Sequence, residues 1–183
     1  MQQITVGVVV GSLRKDSINR RLAHALEKLL PSHVLFQFIS LEQLPLYNQD
    51  MDADYPPACQ RFKHEVSQVD ALLFVTPEYN RSMPGVLKNA LDIGSRPWGQ
   101  NSFAGKPGAV VGASLGAIGS ALAQQHLRNV LSYLGVPLLT QPEVYLRFQD
   151  DLIDAEGNVQ SESTRAFLQG FVKAYVDWLQ RLL

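Results

Sequence analysis

A single cysteine, Cys59, leaves the chain without an internal disulfide and without a thiolate metal cluster of its own. Neither sign of charge is in excess: 16 basic side chains stand against 17 acidic ones in 183 residues, a formal net charge of −1. That balance, with no interleaving of basic and aromatic residues, offers nucleic acid no electrostatic footprint. No apolar run reaches the length that spans a bilayer. The opening MQQITVGVVVG has neither a charged leader nor a small-residue cleavage site, so the expectation is a soluble cytoplasmic protein with no membrane contact. The histidines, His24, His33, His64 and His126, fall at no metal-ligand spacing. The segment DMDAD alternates Asp50, Asp52 and Asp54 as a calcium loop would, but Tyr55 stands at its glycine position and Arg61 at its closing glutamate. No Ser/His/Asp or Cys/His constellation is present, and no metal site is expected.

What the chain does have is a regular alternation of two patterns. ITVGVVV (4–10), VLFQFIS (34–40), ALLFVT (71–76), GAVVGAS (108–114) and the shorter PLLTQPEVY (137–145) read as strands. Several are nearly continuous apolar runs, which suits strands covered on both faces and hence a parallel sheet. Between them, Ile18, Leu22, Leu26 and Leu29 recur at helical spacing up to Pro31. Near the C-terminus Phe167, Phe171, Tyr175, Trp178 and Leu182 repeat the pattern and are expected to pack on the sheet. The expectation is one α/β domain over residues 1–183, a doubly wound three-layer sandwich. Ligands of such sheets sit beyond the carboxyl ends of the strands, where the winding reverses.

Loops after the first, third and fourth strands therefore carry the candidates. The first, GSLRKDSINR, is neither a dinucleotide fingerprint, which needs G-x-G-x-x-G, nor a Walker loop, which needs G-x-x-x-x-G-K-[ST]. Gly11 for the turn, the hydroxyls of Ser12 and Ser17, the amide of Asn19, the Arg14 guanidinium and a helix N-terminus are nonetheless phosphate-binding parts. They suit a terminal monophosphate better than a pyrophosphate. An ordinary helix cap at Ser17 with solvated Arg14 and Lys15 reads the same residues equally well. In TPEYNRSMPG (76–85), Pro77 and Pro84 stiffen the backbone on either side of a polar tip, a shape suited to the edge of a planar heterocycle, with Tyr79 for apolar contact. The alternative is a plain strand-to-helix turn with Glu78 and Asn80 facing water. GASLGAIGSAL (112–122) sets Gly112, Gly116 and Gly119 around Ser114, either for close approach to a flat ligand or for tight helix packing.

Taken together, VVVGSLRKDSINRRLA, LPLYNQD, VTPEYNRSMPGVLKNALD, GKPGAVVGAS and QPEVYL resemble the flavodoxin-like NAD(P)H-dependent FMN reductase family, in particular its chromate and quinone reductase branch. The resemblance covers nearly the whole chain in the family's motif order. It implies a flavodoxin-like sandwich with a five-stranded parallel sheet in the order 2-1-3-4-5. It implies that Ser12, Arg14, Ser17, Ile18 and Asn19 hold the FMN phosphate. Pro77, Glu78, Tyr79 and Asn80 would border the isoalloxazine ring, and Ser114 and Gly116 its other edge. Two positions depart from relatives: Ile93 stands where other members have an aromatic, and Arg81 replaces an aromatic found in some. Both bear on the ring's outer wall and so on acceptor preference.

The function so implied is transfer of hydride from NADPH or NADH through bound FMN to small acceptors such as quinones or chromate, with the chemistry carried by the cofactor and no catalytic side chain required. A flavodoxin-type carrier of single electrons between proteins is the alternative. Such a carrier is expected to bear a strong field of one sign for steering its partners, which a net charge of −1 does not supply. The resemblance further implies a homodimer or homotetramer, with QQHLRNVLSYLG and PEVY as contact segments and Arg128 and Glu143 as a candidate intersubunit ion pair.

Overall fold

The computed structural model describes residues 2–150 and 152–183. Its strands are β1 (Ile4–Val10), β2 (Val34–Ile39), β3 (Ala71–Val75), β4 (Gly108–Ser114) and β5 (Val144–Arg147), and its helices α1 (Ile18–Glu27), α2 (Pro57–Gln68), α3 (Gly85–Ser95), α4 (Ala121–Tyr133) and α5 (Glu162–Leu182). All strand pairs are parallel and the sheet order is β2-β1-β3-β4-β5, the flavodoxin-like order expected above.

The apolar strand runs separate into two faces with the period of two that a pleat imposes. Val6, Val8 and Val10 with Leu73, Val75, Ala109 and Val111 pack under α1 and α5. Val9, Leu72, Phe74 and Val110 pack under α2, α3 and α4. Both faces are therefore covered, which is why the strands could be apolar throughout. β1 pairs with both β2 and β3, so the chain leaves β1 in one direction and returns across it in the other. The crevice of the sheet opens at that reversal, beside the carboxyl ends of β1 and β3.

Two elements differ from the sequence expectation. Residues 137–145 do not form one strand: Leu138 makes a single bridge to Gly108, and the ladder resumes only at Val144. Pro137 and Pro142 have no N–H to donate, so the run cannot be laddered continuously. In α5 the buried residues are Leu168, Phe171, Val172, Tyr175, Val176 and Leu179. Phe167 and Leu182, expected to be covered, are 43% and 45% exposed. They lie on the flank of the face that meets the sheet, whose middle is carried by aliphatic residues as much as by aromatic ones.

Candidate functional site

The loop joining β1 to α1 leaves the sheet where Gly11 N–H still donates to Val75 O at 2.9 Å. Ser12 and Ser17 are buried there, whereas Arg14 and Lys15 are exposed. Ser17 caps α1, its Oγ accepting from Arg20 N–H at 3.3 Å. The first-turn amides of Ile18 and Asn19 have no preceding turn to bond to and remain available as donors. The Arg14 guanidinium has no partner among the described residues. This donor set, with the positive end of a helix behind it, suits a dianionic oxygen cluster.

Asn19 is 1% exposed, and both ends of its side-chain amide bond the main chain of β4. Its Nδ2 donates to Ala113 O at 3.0 Å and its Oδ1 accepts from Ala113 N–H at 2.9 Å. The β3–β4 register ends at Val75 and Val111, and Thr76 N–H makes the final bond, to Val111 O. Pro77 follows, so Asn19 stands in for the missing strand and joins the first loop to the end of β4.

After β3 the chain turns sharply. Tyr79 and Ser82 exchange both main-chain bonds, at 2.9 and 3.0 Å, around Asn80 and Arg81 at φ 50° and 65°. Successive left-handed residues are what a tight two-residue hairpin demands. Glu78, at the base of this hairpin, reaches α4. One carboxylate oxygen accepts from Leu122 N–H at 3.0 Å and Ala123 N–H at 3.2 Å, and the other from the Arg81 guanidinium at 3.0 Å. The α4 N-cap, Ser120, sits at φ 69° with no side-chain cap bond of its own, so Glu78 caps the helix from another loop.

These loops enclose one cavity of about 640 Å³. Every candidate named from the sequence lines it: Ser12, Arg14, Ser17, Ile18, Asn19, Pro77, Glu78, Tyr79, Asn80, Ser114 and Gly116. Ala113, Leu115 and Ile118 complete the wall without having been assigned to it by sequence, and Arg81, read from the sequence as bearing on the outer wall, lines it too. Of the glycines after β4, Gly112 serves packing: a Cβ there would lie 2.1 Å from Thr76 O and 2.3 Å from Ser120 Oγ. Gly116 has only Ser114 Oγ, at 3.8 Å, near the position of a Cβ, leaving its surface open to a ligand.

Residues 4–151 match the family model described as NADPH-dependent FMN reductase. The chain belongs to that family. It is 55% identical over 177 residues to a 2-hydroxy-1,4-benzoquinone reductase of a Burkholderia species, covering 97% of both chains. It is 48% identical over 180 residues to a quinone reductase of Pseudomonas putida, covering 98% of this chain and 96% of that one. Among solved structures it superposes with a TM-score of 0.93 on a flavoenzyme NAD(P)H:(acceptor) oxidoreductase from Paracoccus denitrificans, at 47% identity and covering 98% of each chain. As a member of this family it is an oxidoreductase that depends on FMN and a reduced nicotinamide.

The two departures from the family pattern fall in different places. Ile93 is fully buried in the core under α2 and α3, and its carbonyl accepts from Tyr55 Oη at 2.6 Å. It does not line the cavity, whereas Arg81 does. Arg128 turns inward on its own chain, donating to Leu139 O at 2.9 Å and Val110 O at 3.4 Å. Glu143 accepts from Gln125 Nε2 at 3.1 Å and from Tyr145 Oη. Asp52, from the acidic run, bonds Arg96 Nη2 at 2.9 Å and Tyr47 Oη at 3.1 Å. Among the described residues, no group of three or more His, Cys, Asp and Glu could hold a metal ion, and no helix is long and apolar enough to cross a membrane.

Proposed function

We propose that the cavity holds FMN, with its phosphate at the β1–α1 loop and its ring between the hairpin after β3 and the loop after β4, and that the protein reduces quinones with NADPH or NADH. The observation that carries this reading is the pairing, in one cavity, of a phosphate-type donor set with a stiff two-sided slot. Ser12, Arg14, Ser17 and the first-turn amides of Ile18 and Asn19 would surround the phosphate. Pro77, Tyr79 and Asn80 would border one side of the ring, and Ser114 and Gly116 the other. Asn19 and Glu78 act by bracing these loops against one another, so that the slot is formed before the cofactor arrives. The bound flavin supplies the two-electron exchange between nicotinamide and acceptor. The protein's share is to bind, orient and leave one face accessible, which requires no side-chain nucleophile or base.

Quinones are favoured as acceptors by the names of the relatives; chromate is a further candidate. The full chain works as one unit in this reading, in the cytoplasm. Assembly into a homodimer or homotetramer would cover the exposed Trp98 and Tyr133, each 79% exposed beside a second cavity of about 350 Å³. Sedimentation of the purified protein tests the assembly.

Anaerobic mixing of the purified yellow protein with NADPH or NADH tests the function. Rapid bleaching of the flavin, followed by recovery of colour on adding a quinone, is the expected result. A flavin that neither nicotinamide reduces would leave the electron-carrier reading, and a protein that does not retain FMN would end both.

A further inference from the structure

Resting on that function, we infer that Arg81 makes this site a reductase for anionic, ring-hydroxylated quinones in preference to neutral ones. The cation lines the cavity, on a different loop from the phosphate donors. Among the described residues its only partner is Glu78, and the two ends of that pair are placed unequally: the Arg81 side chain is 64% exposed and that of Glu78 only 9%. Glu78 is also the acceptor for Leu122 N–H and Ala123 N–H at the positive end of α4. Its negative charge is therefore shared with the helix, and the field of Arg81 towards the cavity mouth is incompletely cancelled. The same cavity also carries exposed apolar side chains, Leu115 at 65%, Tyr79 at 54% and Ile118 at 38%. Apolar surface beside one available guanidinium recognises a planar ring bearing a negative oxygen.

A hydroxyl directly on a quinone ring is a vinylogous acid and is ionised at neutral pH, so a hydroxyquinone meets that description and an unsubstituted quinone does not. The overall step balances as NAD(P)H plus two protons plus the quinonate giving NAD(P)⁺ plus the neutral hydroxy-hydroquinone. Two electrons and two hydrogens convert both ring carbonyls to C–OH, one hydrogen arriving as hydride equivalent and the other from solvent. The reduced ring is an ordinary polyphenol, protonated at neutral pH, so the third oxygen takes the second proton and loses its charge; the contact to Arg81 therefore favours the oxidised substrate and weakens in the product, which aids release.

The same cation could instead take a phosphate of the nicotinamide coenzyme, and the half-reactions separate the two sources. With the FMN-loaded protein, the ratio of kcat/KM for 2-hydroxy-1,4-benzoquinone to that for 1,4-benzoquinone is measured at neutral pH in wild type, Arg81→Gln and Arg81→Lys. Arg81→Gln is expected to lower that ratio about tenfold, the size of one charge-assisted contact. Arg81→Lys should retain most of it, and added salt should narrow it in the wild type. Titrating oxidised protein with the hydroxyquinone alone, followed by the flavin absorbance, should show the same weakening without turnover. Equal flavin content in all three proteins establishes that each is folded. An unchanged ratio overturns the inference, and so does a loss confined to flavin reduction by NADPH or NADH, which would give Arg81 to the coenzyme. A wild-type flavin that neither nicotinamide bleaches overturns the function and this inference together.

Discussion

The side chain of Asn19 forms a closed pair of hydrogen bonds with the main chain of Ala113, 94 residues away. It occupies the place where β3 would have continued had Pro77 not ended the ladder, and it fixes the first loop of the cavity to the third. Replacing Asn19 with Ala leaves a buried N–H and a buried carbonyl without partners, a loss of roughly 2–4 kcal/mol. Asn19→Asp keeps an acceptor for Ala113 N–H but sets a carboxylate against Ala113 O, so it should also destabilise. Urea unfolding of the apoprotein measures both. If Asn19→Asp unfolds at the wild-type midpoint, the brace is not working as the geometry indicates.

Glu78 joins the second loop to the third by capping α4. Because Ser120 supplies no side-chain cap, Glu78→Ala leaves the Leu122 and Ala123 amides without their acceptor and should cost about 1–2 kcal/mol. Glu78→Gln retains an acceptor oxygen while removing the charge, so its loss should be smaller. Hydrogen exchange at the start of α4 reads this locally. Equal protection of Leu122 and Ala123 in Glu78→Ala and wild type would remove Glu78 from that role.

Most of the fold was legible because its signals are local. Apolar runs at the right length gave β1 to β4, and helical spacing gave α1. Where a tertiary partner decides, the sequence was silent. Nothing near residue 19 announces Ala113, and nothing near Glu78 announces α4, so both read as ligand-facing polar residues. The ladder break inside 137–145 was legible in principle, from Pro137 and Pro142. Leu115 and Ile118 in the cavity wall could have been suspected as large apolar residues set among glycines in a loop. On α5 the aromatic spacing picks out Phe171 and Tyr175, which are buried, but the buried face is shared with Leu168, Val172 and Leu179, which no aromatic signal marks.

Arg14 carries the most direct test of the cofactor site. Its guanidinium is exposed and has no partner among the described residues, so Arg14→Ala should leave the thermal midpoint of the apoprotein where it is. FMN affinity should fall about 10- to 100-fold, the effect of one charge-assisted phosphate contact. Titration of apoprotein against flavin fluorescence checks the affinity. Ser17→Ala provides the contrast, since it loses the α1 cap and should lower stability as well as affinity.

Stability should decline at alkaline pH for a reason located chiefly at two tyrosines. Burial raises Tyr175 well above its ordinary value near 10; the residue is 1% exposed and its hydroxyl donates to Leu72 O at 2.8 Å. Burial likewise raises Tyr55, with the neighbouring Cys59 adding to the shift, and its hydroxyl donates to Ile93 O. Below about pH 10 both phenols are protonated folded and unfolded, and their contribution is present in full. As pH climbs past that value the unfolded chain releases protons that the folded chain retains, which favours unfolding. The buried Cys59 thiol, which burial also raises above its ordinary value near 9, begins the same decline slightly earlier, so the urea midpoint should start to fall near pH 9 and fall more steeply above 10. Tyr175→Phe should start about 1 kcal/mol lower, through the lost bond to Leu72 O, and fall less steeply with pH. An alkaline slope identical in Tyr175→Phe and wild type would place the titrating group elsewhere.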